Sequence, residues 1–422
     1  MPIKDPKSYR YVICLVIYLC YFLVYFHRLC PAVIALDMQE SFQASGTLLG
    51  LLGGAYFYAY AFMQLPIGLL ADSWGPRKTI STLFLIAAAG SILMGLAPTL
   101  GWALLGRVLV GLGVSAVFVC NYKLLAEWFE ARQFIIMGGV FQAVGGIGAL
   151  SASAPLAWTT DLIGWRWALG SMGVATLVMA VLSYVFIRNR PPEMAWSTGP
   201  APTTIHSSGP IGLAQGIKQV ITAGRFWPVS VWTFFATGVS FAMGSLWGGP
   251  FLIQVYGLSK TAAGGVLAMF SVALIAGPPV LSALANYLGR KPVLIGCSAL
   301  LATVCGLLSL MTDALPILGL FAVFFCLSLS GAATGAVVAT VSKELFPSSI
   351  AGTSVGMVNL FPFLGGAVFQ VVMGRILTMS GQLQGLYTVA GYRNMFLCST
   401  AGALISLGAA LLIRETLNRP TE

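Results

Sequence analysis

Pro66-Ile-Gly68-Leu-Leu-Ala-Asp72-Ser-Trp-Gly75-Pro76-Arg77-Lys78 is a short charged hinge between two long apolar runs. Charge is scarce elsewhere: 8% of the 422 residues are Asp, Glu, Lys or Arg, and 58% are hydrophobic. A soluble domain carries about a quarter charged residues, so this composition belongs in a bilayer. Apolar segments bear charge only at high cost, and a loop that gathers Asp72, Arg77 and Lys78 beside Gly68 and Gly75 marks a turn at the membrane surface.

On either side of the loop lie runs 48–71 and 80–97, and outward from them ten more, from 11–36 to 389–413. Each approaches the ~20 apolar residues that a helix needs to cross hydrocarbon. Strands of a membrane barrel would instead be about ten residues of strict alternation, so the expected class is an all-α membrane protein with twelve transmembrane helices. The one long polar interruption, 188–225, is rich in Pro and Ser and reads as a linker, with a short surface helix expected over 213–221. It divides the chain into a six-helix half 1–187, a linker 188–225 and a six-helix half 226–422.

Lys and Arg set the orientation, because positive loops stay cytoplasmic. With the N-terminus inside, the cytoplasmic segments hold Lys4, Lys7, Arg10, Arg77, Lys78, Arg132, Arg188, Arg190, Lys218, Arg225, Arg290, Lys291, Lys343, Arg414 and Arg419; the outer loops hold Arg166, Lys260 and Arg393. Both termini are therefore expected to be cytoplasmic. The net charge of +10 follows from this topology and calls for no nucleic acid. The eight cysteines fall within the apolar runs without metal-ligand spacing and read as packing residues. The first run is too long for a cleavable leader.

The halves repeat each other. Gly75 matches Gly289 in Ser282-Ala-Leu-Ala-Asn286-Tyr-Leu-Gly289-Arg290-Lys291, and Glu127-Trp-Phe matches Glu344-Leu-Phe 217 residues on, a spacing that also sets Gln142 on Asn359. Gly164-Trp-Arg166 matches Gly391-Tyr-Arg393. Parallel repeats of this kind place a solute site near the midplane between the halves. The glycines at 138, 139, 145, 146, 148, 352, 356, 365 and 366 read as close helix contacts, since no strand precedes them to form a nucleotide loop.

The Gly68…Asp72…Gly75…Arg77-Lys78 pattern resembles the signature loop of the major facilitator superfamily; Arg107-Val-Leu-Val-Gly111-Leu-Gly113 is similar to its second motif. The resemblance covers the whole chain. It implies a fold of two six-helix parallel repeats, with the first, fourth, seventh and tenth spans lining a cavity. It also implies that the loop is a gating latch, in which Asp72 and Arg77 contact each other and neighbouring helix ends; Glu127 is the expected partner of Arg77, and Arg107 has a structural or proton-linked role. The second copy departs at Ser282 and Asn286, and Ala154-Pro155 only hints at the motif of the family's antiporters.

Tyr18, Tyr21, Tyr25 and Arg28 stand at i, i+3, i+7 and i+10 and so share one helical face. An arginine within a span needs an aqueous cavity, an anion or an escape to the surface, and its planar guanidinium suits a carboxylate or phosphate. The family's organophosphate and anion carriers similarly place an arginine in the first span. Lys123 and Asn121 in the fourth span and Trp247 in the seventh are further candidates for solute contact, although Lys123 also stands one turn from Glu127 and can pair with it instead. His27 and Asp37 are the candidates for proton coupling.

No Asp or Glu falls in the middle of any run. That argues against a carboxylate proton relay and against a cationic cargo. The expected function is alternating-access transport of a small organic anion or carboxylate-bearing solute across a bacterial-type inner membrane, by exchange or proton-linked symport. The expected partners are the solute, the bilayer and protons, with no cofactor or metal, and the chain acts as a monomer. Alternatives are an amino-acid or short-peptide carrier and a transporter-like solute sensor. An enzyme is not expected, because no His/Asp/Glu constellation gathers at one depth.

Overall fold

The computed structural model describes residues 6–191, 213–347, 350–383 and 385–417. Twelve of its helices are long and apolar enough to cross a membrane: Ser8–Leu29, Gly46–Gln64, Gly75–Leu96, Leu100–Trp128, Arg132–Ser151, Ala154–Phe186, Phe226–Gln254, Lys260–Leu288, Arg290–Leu310, Ile317–Glu344, Ala351–Met379 and Val389–Leu412. They are spans 1 to 12 in chain order. A helix returns its backbone donors to its own carbonyls, which is what hydrocarbon demands of any segment that crosses it. Most of the expected linker, residues 192–212, lies outside the described residues, as do Lys4 and Arg419. The helix Leu213–Thr222 follows and lies near Ile350 and Thr353 at the start of span 11.

The first and fourth spans of each half are broken or carry a π turn, and span 6 kinks at Gly164, where φ is +78°. Span 1 changes helix at Cys30, where Pro6–Leu29 gives way to Pro31–Phe42. Pro31 has no N–H, so the carbonyl four residues back, that of His27, loses its helical donor. Arg107 of span 4 replaces that donor, its Nη1 giving a 2.7 Å hydrogen bond to the His27 carbonyl. Span 4 itself is two helices, Leu100–Val114 and Val117–Trp128. Spans 7 and 10 each contain one π-helical turn, Met243–Trp247 and Thr334–Val338, an interruption that recurs at functional sites.

The face bearing Arg77, Lys78, Arg190, Arg290 and Lys291 is called the basic face. There the two hinge copies share a design. Gly75 adopts φ +79°, a conformation only glycine takes without strain, and Asn189 fills the space where a Cβ would stand. Asn189 Oδ1 accepts the Arg77 amide at 2.9 Å. In the second copy Gly289 has φ +106°, and the carboxylate of Glu415, just beyond span 12, accepts the amides of Arg290 and Lys291 at 3.0 Å each. Each acceptor caps the helix that follows its glycine, where the first amides lack partners.

The opposite face is sealed. Gly46 of span 2 and Gly374 of span 11 meet backbone to backbone, and Thr47 donates to Thr378 beside them. Lys260 at the start of span 8 reaches across to Asp37 beyond span 1, with 2.9 Å to both carboxylate oxygens, and to Asp161 of span 6 at 3.5 Å. Among the described residues these are the ion pairs that join the halves. The expected close glycine contacts divide by depth: Gly145, Gly148 and Gly365 touch a neighbouring span, whereas Gly139, Gly352 and Gly356, nearer the basic face, have nothing against them. The helix pairs meet toward the opposite face and part toward the basic one.

Burial opposes charge on Glu415, but the backbone N–H groups of Leu417, Arg290, Lys291 and Thr416 outweigh it and hold the carboxyl below its usual range. The folded value lies below the unfolded one, so the cap is complete above about pH 4.3 and is lost as pH falls through the lower folded value. Protection factors of the Arg290 and Lys291 amides, taken against the intrinsic exchange rate at each pH, should therefore fall on acidification below that range. Glu415→Gln should bring the same loss of protection at pH 7, and unchanged protection in both cases would contradict the cap.

Candidate solute-binding cavity

Span 1 reaches the interface between the halves with its tyrosine face. Tyr21 stacks on Phe141 with ring centroids 3.7 Å apart and donates its hydroxyl to Gln142 Oε1 at 2.7 Å. Tyr25 meets Tyr21 edge-on at 5.1 Å. One turn further, the Arg28 guanidinium lies over four rings: Tyr25 at 4.6 Å, Tyr60 at 5.1 Å, Phe363 at 5.2 Å and Phe241 at 5.7 Å. The rings come from spans 1, 2, 11 and 7, so both halves contribute. Arg28 is 4% exposed, its Nε is buried with no acceptor, and none of the described ion pairs includes it.

These residues line a cavity of about 100 Å³ between the halves. Tyr21, Tyr25, Arg28, Tyr60, Phe118 and Gln142 form the first half's wall; Thr237, Phe241, Thr334, Asn359 and Phe363 form much of the second's. Thr237 and Thr334 hydrogen-bond to each other across spans 7 and 10. Asn359 Nδ2 donates to Gln64 Oε1 at 3.2 Å, tying span 11 to span 2. Each ring near a guanidinium is worth ~0.5–2 kcal/mol, whereas an unpaired buried charge costs several kcal/mol, so the aromatic box leaves the Arg28 charge only partly compensated. An anion in the cavity completes the balance.

Several expected residues lie elsewhere. Lys123 does not reach the cavity and does not pair with Glu127. Its Nζ turns to the hinge, 2.5 Å from Asp72 and 2.8 Å from the Ala71 carbonyl, where a carboxylate and the open C-terminus of a helix both attract a cation. Asn121 is fully buried away from the cavity, and Trp247 is buried with its Nε1 donating to the Gln370 carbonyl at 3.0 Å. Tyr18 shares the stripe in sequence, but its hydroxyl donates to the Met137 carbonyl and it stops short of the cavity wall. His27 is buried against Thr176, with Nε2 3.0 Å from that hydroxyl, and Asp37 is held by Lys260.

The hinge also differs from expectation. Arg77 pairs neither with Asp72 nor with Glu127: its Nε donates to the Tyr184 carbonyl at 2.6 Å and its guanidinium lies 4.5 Å from the Tyr184 ring. Glu127 faces Arg190 at 3.8 Å instead. A related pairing occurs in the second copy, where Arg290, the residue before the repeat mate of Arg77, reaches Glu344, the repeat mate of Glu127, at 3.2 Å and Asn286 at 2.7 Å. Lys78 is exposed, and Gly68 has no neighbour where a Cβ would stand. Arg107 is buried and completes the backbone at Pro31, as described above.

Tyr60, Phe118, Phe363 and Thr237 went unnoticed in the sequence, and Gln142 and Asn359 stood out only as repeat mates. The repeat itself carries the signal: Tyr21 and Tyr25 stand 216 residues before Thr237 and Phe241, and all four line the cavity.

Twelve spans, a cavity between them with one buried cation, and close contact on one face are the architecture of a membrane transporter. The family model for the Major Facilitator Superfamily matches residues 17–370, and the chain belongs to that family. It is a multi-pass protein of the cell's inner membrane. The chain is 23% identical over 399 residues to the probable galactarate/D-glucarate transporter GarP of Escherichia coli (strain K12), covering 89% of this chain and 90% of that one. Identity to the D-galactonate transporter of Escherichia coli O6:H1 is 22% over 401 residues, with 87% and 89% covered. Among solved structures, an inward-facing, unoccupied bacterial homolog of the human lysosomal transporter Spinster superposes with a TM-score of 0.75 at 18% identity, covering 98% of both chains.

A double-mutant cycle checks the hinge. Asp72→Asn with Lys123→Ala should show a coupling of roughly 0.5 kcal/mol in thermal unfolding, as exposed pairs do, and Arg77→Ala with Glu127→Gln should show none. The reverse pattern would contradict the observed pairing.

Proposed function

We propose that the protein moves a small organic anion by alternating access, with the basic face in the cytoplasm and Arg28 holding the anionic group. The observation that carries this is a buried guanidinium, open to the cavity, that no described carboxylate neutralises. The sugar-acid names of the relatives support an organic acid as cargo. The sealed opposite face fits a state that loads or releases on the cytoplasmic side. The π turns of spans 7 and 10 and the breaks of spans 1 and 4 supply the backbone freedom for the halves to rock, and Lys260 leaving Asp37 and Asp161 opens the outer side.

An amino acid or peptide carries an ammonium as well, and among the described residues no acid lines the cavity to receive it. Coupling to protons has equally little support, since among the described residues neither a carboxylate nor an imidazole lines the cavity. The proposed mode is therefore exchange of one anion for another.

Counterflow in proteoliposomes tests the reading. Labelled organic acid should exchange against unlabelled acid at a rate that is flat between pH 6 and 8, with no accumulation driven by a pH gradient. Arg28→Lys keeps the charge but loses the planar fork, and should lower exchange by about tenfold to a hundredfold. Full exchange by that variant would remove the anion clamp, and absence of exchange by the unmodified protein would favour a sensor.

A further inference from the structure

We infer that the cargo carries a single carboxylate and a hydroxyl at its far end: a polyhydroxy monocarboxylate of the aldonate type, with the corresponding dicarboxylates disfavoured. The inference rests on the reading of Arg28 as the anion clamp and adds what the rest of the cavity requires.

Charge comes first. Among the described residues that line the cavity, Arg28 is the one cation. Of the other cations in the spans, Lys123 is engaged on Asp72, Arg107 on the His27 carbonyl and Lys260 on Asp37. A dianion would bring a second carboxylate into a low-dielectric site with nothing to neutralise it, and a buried unpaired charge is among the costliest things a protein interior can hold.

The neutral polar groups then describe the other end. Gln142 and Asn359 occupy the same place in the two repeats and line the cavity from opposite halves. Gln142 Oε1 is taken by the Tyr21 hydroxyl, which leaves its Nε2 as a donor. Asn359 Nδ2 gives one of its two hydrogens to Gln64, which leaves its Oδ1 as an acceptor beside one N–H. Donors together with an acceptor suit a hydroxyl, which both accepts and donates. An ionised carboxylate only accepts, so it leaves the Asn359 oxygen without a donor and meets it with like partial charge. The asymmetry is built into the duplication: position 28 holds arginine, whereas the site 216 residues on holds Gly244 and the wall there is Phe241 and Thr237.

Ligand-dependent thermal stabilisation of the detergent-solubilised full chain tests this with matched pairs. D-galactonate and galactarate share a carbon skeleton and differ only at the terminal carbon, hydroxymethyl against carboxylate. Other C4 to C6 aldonates are paired with the aldarates of their own configuration, and galactitol serves as the uncharged control. The aldonate that stabilises best should do so at a concentration at least tenfold below that of its aldarate, with galactitol inactive. Asn359→Lys, which supplies a second cation, should narrow or reverse that ratio; the wild-type comparison stands without it. Aldarates acting at the same or lower concentrations than aldonates, with Arg28→Gln abolishing both, would overturn the inference and leave the anion clamp intact. Sugar acids of neither class stabilising the protein would overturn the inference, and sugar acids stabilising Arg28→Gln equally well would overturn the clamp itself.

Discussion

A guanidinium held between two helical bundles, with aromatic rings for neighbours and no carboxylate, is the constraint around which this structure is arranged. Arg28 sits on a span that must also change direction at Pro31, and the carbonyl freed by that proline is satisfied by Arg107 from span 4. The two arginines, 79 residues apart in the chain, thus have separate tasks. Arg107 repairs a backbone; Arg28 is left with rings alone. Low dielectric makes that difference large, because a charge facing only quadrupoles keeps most of its desolvation cost.

Duplication explains both the symmetry of the scaffold and the asymmetry of its chemistry. Both hinges start the next span from a glycine with positive φ, and both cap it with a side chain from beyond the last span of the same half, Asn189 in one and Glu415 in the other. Their charge pairs have diverged. The first copy joins Asp72 of span 2 to Lys123 of span 4; the second, having lost the aspartate to Asn286, joins Arg290 to Glu344. In both copies one charge pair at the basic face ties the hinge to the fourth span of its half, achieved with different residues. The cavity walls diverged further, with the cation confined to one half.

Much of the fold was legible because hydrocarbon leaves few choices: twelve apolar runs and a skewed distribution of Lys and Arg suffice for spans and class. The tyrosine stripe and Arg28 were legible for the same reason, since a charge in a span announces itself. Lys123 was misread because a helical pattern gives the direction of a side chain but not what waits there, and Asp72, 51 residues earlier, competes for it. Tyr60 and Phe363 were invisible because they are ordinary aromatic residues in aromatic-rich spans until the packing of four helices brings them around one guanidinium. Gln142 and Asn359 lay between these cases, since the repeat spacing pointed to them without saying that the matched positions face each other.

The most direct measurement is a density map of the protein with a bound sugar acid. The account predicts a carboxylate within hydrogen-bonding distance of the Arg28 guanidinium, inside the ring formed by Tyr25, Tyr60, Phe241 and Phe363. An anion bound elsewhere, with the Arg28 guanidinium turned to a protein carboxylate or out to the membrane surface, would contradict it.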